Sequence, residues 1–258
     1  ITIADFEESI GTVRALTGAT AEQFDRLRDV AQDLGATTRF SATEAAEGLQ
    51  FLARAGFSVE QAMAAVGDTL LLAQAGALDL GTAADIATNV LSGFRLRVKE
   101  TSRVVDVLAK TANSSNTTVG ELGETMKFVA PIAATAGVKL EDAAAAAGVL
   151  ANAGIKGSLA GTGLRQSILK LSAPSDKAKA ALARLGLTAE EVNVESVGLG
   201  EAFRRLGEKG LAFSEAVDIF DVRTASAALA LASAGKETGE FSEKLENAKG
   251  SAKEVADV

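Results

Sequence analysis

Along this chain a Ser or Thr repeatedly stands three residues ahead of a Glu or Gln, and five such boxes mark helix entries: Thr20–Gln23, Ser41–Glu44, Ser58–Gln61, Thr118–Glu121 and Thr188–Glu191. In such a box the hydroxyl accepts from an orphan amide of the first helical turn, and the longer side chain bonds back to the cap amide. The matching stops are Gly18, Gly35, Gly56, Gly76, Gly93, Gly137, Gly154, Gly186, Gly210 and Gly235, since glycine tolerates the left-handed residue that closes a helix. Signals this dense demand many short helices and forbid one long rod. Apolar stripes at three- and four-residue spacing agree: Val59, Ala62, Met63, Val66, Leu70 and Ala73, or Phe24, Leu27, Ala31 and Leu34. Leu199, Phe203 and Leu206, then Phe213, Val217 and Phe220, repeat the pattern. No stretch alternates polar and apolar residues long enough to make a strand. The fold class is therefore all-α, a multi-helix array of short Ala-rich helices stacked as hairpins. Helices are expected at 3–16, 21–34, 42–55, 59–75, 82–92, 98–112, 119–135, 140–153, 159–172, 175–185, 189–194, 197–209, 214–234 and 239–256.

Residues 40–94 read as three helices, and 118–172 echo them. AGFSVEQA at 55–62 answers to AGVKLEDA at 136–143, and LAQAG at 72–76 to LANAG at 150–154. A duplicated three-helix unit is one reading of this echo, and helix grammar shared by unrelated segments is the other. Ser172-Ala173-Pro174-Ser175 is the cleanest punctuation, because Pro174 stops one helix and Ser175 can cap the next. The expected organisation is a helical domain at 1–172, a C-terminal helical part at 173–235 and a helical extension at 236–258. Phe241, Leu245, Ala248, Ala252 and Val255 give that extension a heptad-like seam, as at the start of a coiled coil. Pro131 falls inside the helix at 119–135 and should kink it.

Composition narrows the function. The chain has no Cys, His, Trp or Tyr and only two Pro. Disulfides, the usual zinc, haem and iron–sulfur ligands and the commonest general base are thereby missing, so no enzyme, metal or cofactor is expected. A net charge of -8 argues against neutralising phosphates, and sparse Phe makes a poor base-stacking platform, so specific nucleic-acid binding is not expected. The opening lacks Met and a basic stretch, and reads as a piece of something longer without a signal peptide. The longest uncharged run, Ala143 to Ile155, is too short to span a bilayer.

Candidate sites resolve into structural readings. The segment Gly154 to Gly163, followed by Arg165, is rich in glycine, but it lacks the G-K-[ST] ending of a phosphate loop and follows a helix. It reads as a flexible helix–helix loop, with Lys156 and Arg165 available to an acidic partner surface. Asp218, Asp221 and Arg223 at helical spacing read as a surface ion-pair cluster, and Glu190–Glu191 and Glu7–Glu8 as first-turn or exposed acids. Asn113-Ser-Ser and Asn116-Thr-Thr read as a polar turn. No catalytic, cofactor-binding or metal residue is assigned.

Residues 15–172 resemble the core of phage tail tape measure proteins. The resemblance lies in 15–58 (ALTGATAEQFDRLRDVAQDLGATTRFSATEAAEGLQFLARAGFS), 70–94 (LLLAQAGALDLGTAADIATNVLSGF), 104–137 (VVDVLAKTANSSNTTVGELGETMKFVAPIAATAG) and 154–174 (GIKGSLAGTGLRQSILKLSAP). IFDVRTASAAL at 219–229 looks like a degenerate form of the family's closing motif. The resemblance implies a structural component of a phage or prophage tail, in the tail lumen or tip, assembled in the host cytoplasm. It implies scaffolding of the tail tube, length determination and a role in genome ejection. The implied partners are tail tube, tail tip or assembly-initiator proteins and other copies of the chain, with a homo-oligomer in the tail. It carries over no catalytic residue. The frequent stops mean that 1–235 is not itself the measuring rod. The alternative is a membrane-active helical module that inserts during DNA ejection, and a carboxylate-dependent glycosidase is a more distant third.

Overall fold

A computed structural model describes residues 3–256. Its sixteen α-helices, counted among the described residues, are α1 Ile3–Thr17, α2 Ala21–Thr37, α3 Ala42–Arg54, α4 Val59–Gly76, α5 Leu80–Gly93, α6 Thr101–Ser114, α7 Val119–Thr135, α8 Leu140–Asn152, α9 Gly157–Ser172, α10 Asp176–Arg184, α11 Val194–Val197, α12 Leu199–Glu208, α13 Phe213–Phe220, α14 Ala225–Ser233, α15 Gly235–Glu246 and α16 Ser251–Ala256. No strand occurs among the described residues.

All five boxes form. The reciprocal bonds are made at Thr20, Ser41, Ser58 and Thr118. At the fifth, the Thr188 amide donates to the Glu191 carboxylate at 2.8 Å and the Glu191 amide to the Thr188 hydroxyl at 3.3 Å. That box opens only a 3-10 turn, Glu190–Val192, in place of the helix expected at 189–194. Asn193 restarts the chain there, its side chain accepting from the Glu195 amide to begin α11. Ser175 caps α10 as expected, accepting from the Ala178 amide.

Seven helix ends share one closing geometry. The amides of Phe57, Leu78, Leu96, Val138, Ile155, Leu187 and Leu211 each reach the carbonyl five residues back, and the preceding amide reaches the carbonyl three back. This is the Schellman arrangement, in which a left-handed residue is followed by an apolar one that tucks against the helix it has left. Gly56, Gly137, Gly154, Gly186 and Gly210 supply the left-handed residue, while Ala77 and Arg95 adopt it without being glycine. Gly35 and Gly235 are not stops. Gly35 lies inside α2, where a β-carbon would stand 2.5 Å from the Ala42 amide nitrogen, and Gly235 begins α15 at 2.5 Å from the Arg204 Cα. Both permit close approach of backbones.

Two expected helices are broken. The helix expected at 214–234 divides at Asp221, which has φ 68° and ψ 168°. Its carboxylate accepts from the amides of Arg223 (3.0 Å) and Thr224 (3.1 Å) and so starts α14 afresh. The helix expected at 239–256 begins earlier, at Gly235, and breaks between Glu246 and Ser251, where Gly250 has φ 85°. Its heptad-like seam faces this chain: Leu245, Ala248 and Ala252 are buried in the core. The Phe241 ring fills the space that a β-carbon on Gly148 would need.

The buried side chains form two clusters. The smaller gathers Phe6, Ile10, Leu27, Leu49, Leu52, Val66 and Leu70 from α1–α4 around α3. The larger runs from Leu72 to Ala252 and continues across Pro174, joining α8 and α9 to α12–α14. Its centre is α8, in which every residue from Leu140 to Ala151 except Asp142 is buried. A run of five alanines makes this helix thin, so α6, α7, α9, α12, α14 and α15 can all lie against it. Helix α4 serves both clusters, giving Val66 and Leu70 to one and Leu72 and Ala73 to the other.

Candidate functional site

The glycine-rich segment is mostly helix and not a flexible loop. Only 153–156 connects α8 to α9, and Gly161 and Gly163 lie within α9 at packed faces. A β-carbon on Gly161 would stand 2.5 Å from the Thr125 carbonyl oxygen, and one on Gly163 would stand 2.8 Å from the Ala227 β-carbon. The Thr125 hydroxyl donates to the Gly157 carbonyl at 3.0 Å, which fixes the register of α7 and α9. Lys156 lies within 3.8 Å of Glu121 and donates to Asn116. Arg165 forms no ion pair among the described residues, and its Nε is buried without an acceptor.

The acids singled out in the sequence do not converge on one cleft. Asp218 pairs with α10, 2.9 Å from Lys177 and 2.6 Å from Arg184, and these two cations hold its carboxyl below the usual range. Asp221 faces α9, 3.3 Å from Lys170. Burial pushes its carboxyl up, but the Thr224 amide and Lys170 outweigh that and lower it. Arg223 joins neither, so the expected three-residue ion cluster is two separate helix ties. Glu7 bonds Arg28, Glu8 and Glu190 are exposed, and Glu191 belongs to its capping box. The Asn116 amide donates to the Asn152 side chain within the turn at 115–118, while Asn113 and Ser114 still belong to α6. Among the described residues no three Asp or Glu come together as a metal site would require.

Two other acids tie distant segments and escaped the sequence reading. Asp106, buried on α6, accepts from the amides of Gly250 (2.8 Å) and Ala252 (3.0 Å) and so caps α16. The paired carbonyl end is held too, since Gln74 on α4 donates to the Ala256 carbonyl. Glu141, buried on α8, receives two bonds of 2.7 Å from Arg103, a bidentate geometry that suits a guanidinium. Burial, with Asp106 nearby, pushes the Asp68 carboxyl up. Only pairing across more than thirty residues would have exposed these roles, and local spacing carries no trace of it. What the polar groups do here is hold helices in place.

Residues 28–220 match a family described as phage-related minor tail protein. The chain belongs to that family. It is 36% identical to the tape measure protein of Pneumococcus phage Dp-1 over 98% of its own length and 23% of the relative's. It is 33% identical to the probable tape measure protein of Escherichia phage P2, over 71% of this chain and again 23% of the relative. The probable tape measure protein of Clostridium phage phiCD119 is 30% identical over 55% of the chain and 16% of that protein. The chain thus spans under a quarter of the length of these curated relatives. No solved structure matches it.

Proposed function

We propose that this chain is a folded helical segment of a tail tape measure protein, acting as a structural component that scaffolds tail tube assembly and length determination and takes part in genome ejection. The observation that carries the reading is the 36% identity to a tape measure protein, continuous over nearly the whole chain. Helices stopped as often as these cannot form a rod, for which a rise of about 1.5 Å per residue would make length a ruler. The segment is instead a module beside the ruler, docking on tube, tip or initiator proteins and on its own copies, in the lumen or tip of a tail assembled in the host cytoplasm. Residues 236–258 lead toward the rod on this reading, and their apolar seam is covered by α6 and α8 until it is released. The matching closures at Gly56 and Gly137 support a duplicated unit at 40–94 and 118–172. Deleting the segment in frame from a phage should abolish or deform its tails in electron micrographs. Tails of normal number and length would end the proposal.

A membrane-active module is the second reading, and one observation favours it. No single described helix is long and apolar enough to cross a membrane, but α4 and α5, bent by 114° at their junction, together reach that length and composition. Both helices supply core residues, so insertion requires the fold to open first. Leakage of anionic vesicles on adding the chain supports this reading, and intact vesicles across neutral and acidic pH oppose it.

A further inference from the structure

Charge is divided unevenly over this molecule. Residues 1–76 hold eleven Asp and Glu against five Arg, a net of −6 within a chain of -8. Helices α2 and α4 enclose a groove of about 400 Å³ lined by Asp29, Asp33 and Asp68 together with Val30, Leu34 and Met63. The two arginines of α2 are engaged elsewhere, Arg26 with Glu60 and Arg28 with Glu7. Among the described residues no cation pairs with the three groove carboxylates. An apolar trough lined by unpaired negative charge selects a partner that is apolar at its centre and cationic at its edge.

The same chain carries a surface that combines exposed apolar side chains with unpaired cations. From Ala143 to Ser175 there is no acidic residue. The outward face of α9 presents Leu159, 72% exposed, and Leu169, 40% exposed, with Thr162 and Gln166 between them. The Lys170–Asp221 contact holds the α13–α14 turn against the end of this helix, which adds Val222, 71% exposed. Phe128 lies beside Gly161 on the neighbouring α7. Four of the six large apolar side chains exposed among the described residues therefore line one strip. Its cations, Arg165 and Arg223, have no carboxylate partner among the described residues.

We propose that the acidic groove between α2 and α4 receives the outward face of α9 from a second copy of this chain. The groove belongs to the smaller core and the α9 face to the larger, so the contact is heterologous. Each added copy leaves one groove and one face unfilled, and copies extend into a ring or a row. The inference deepens the self-docking part of the proposed function, and it concerns the isolated chain in solution. A negative result here leaves the tail-deletion test untouched.

Sedimentation velocity on the chain across the micromolar range tests it. Wild type should associate, and added salt should weaken the association, because charges at a solvent-exposed edge are screened over about 8 Å at physiological ionic strength. Asp29→Lys with Asp33→Lys should lower the association constant at least about tenfold, and so should Arg165→Glu with Arg223→Glu. An equimolar mixture of the two charge-reversed proteins should associate again, since each now complements the other. Far-UV circular dichroism confirms that the variants fold. If Arg165→Glu disturbs α9, Leu159→Glu with Arg223→Glu tests the same face. A monomeric wild type, variants that associate like wild type or a mixture that stays monomeric would overturn the proposal. So would a basic amphipathic peptide that fills the groove of a chain showing no self-association.

Discussion

At the centre of the smaller core, α3 keeps Glu44, Glu47, Gln50 and Arg54 at least partly in solvent, whereas α8, at the centre of the larger, leaves only Asp142 and Asn152 unburied. The acids of α8 are absorbed by neighbours: Glu141 by Arg103, and Asp142 by the Ser242 hydroxyl at 2.6 Å. The two cores also differ in how helices approach. A β-carbon would come closer than 3.0 Å to a neighbour at Gly76, Gly93, Gly123, Gly148, Gly161, Gly163, Gly207 and Gly235, all packed toward the larger core, but in the smaller only at Gly35. Charge divides the same way, with −6 on residues 1–76 and −2 on the remaining 182. The smaller core is an amphipathic bundle with a charged outside. The larger is packed around a helix with almost no outside. If 40–94 and 118–172 are copies, the corresponding helices α4 and α8 have diverged in role, one bridging two cores and the other filling one.

The comparison breaks most readily in the smaller core. Leu49→Ala removes a fully buried side chain and should cost about 2–5 kcal/mol, read from the urea midpoint. An unchanged midpoint would mean that α3 is not the centre of that core. In the larger core the sensitive change is an addition. Gly161→Ala should lose roughly 1–3 kcal/mol by overpacking against α7, although Gly to Ala in an open helix gains about 0.5–1 kcal/mol. A stabilised variant would show that α7 and α9 do not approach so closely. Asp106→Asn should cost roughly 1–3 kcal/mol by weakening both charged bonds to α16, and amide exchange should quicken at 250–256 before anywhere else. Uniform quickening would contradict a local latch.

Asp68→Asn should act in the other direction. The folded carboxyl is raised above its ordinary 3.8 by burial and Asp106. The native state therefore holds the proton more tightly, and stability falls as pH rises from 3.8 through the folded value. The Asn variant should be more stable than wild type at neutral pH, and the two should converge below 3.8. Parallel stability curves would remove Asp68 from the account. The smallest effect is expected at the junction of the cores, where Ala77 has φ 49°. Ala77→Gly should gain about 0.5 kcal/mol by relieving left-handed strain, after glycine's extra chain entropy is subtracted. A loss at that position would mean that the turn is not strained.

Much of this fold could be read from local chemistry, because capping boxes and left-handed stops act within a few residues. The boxes at Thr20, Ser41, Ser58 and Thr118 and the stops at Gly56, Gly137, Gly154, Gly186 and Gly210 fall where the spacing places them. Misreadings arose where one residue type serves two ends. Gly35 and Gly235 look like stops and are contact points, and Asp221 looks like a surface acid and is a cap. The seam from Phe241 to Val255 shows the same ambiguity at longer range. Apolar residues at heptad spacing say that a face is covered, and only the tertiary structure says that this chain covers it. The candidate surfaces were less legible still. Arg165 was visible as a residue open to an acidic partner, but the Asp29–Asp33–Asp68 groove needs two helices brought together.

The tie between Asp106 and α16 also sets an order of events. The amides that satisfy this carboxylate lie 144 and 146 residues later in the chain. During synthesis at about 5–20 residues per second, α4 and α6 therefore wait roughly 7–30 s for the segment that covers Asp106. Through that interval the nascent chain holds a bare carboxylate beside Asp68 and an incompletely covered larger core, while all the residues of the smaller one have already been made. The fold matures from one end, and the docking of α16 on α4 and α6 is the step that commits the two halves to each other.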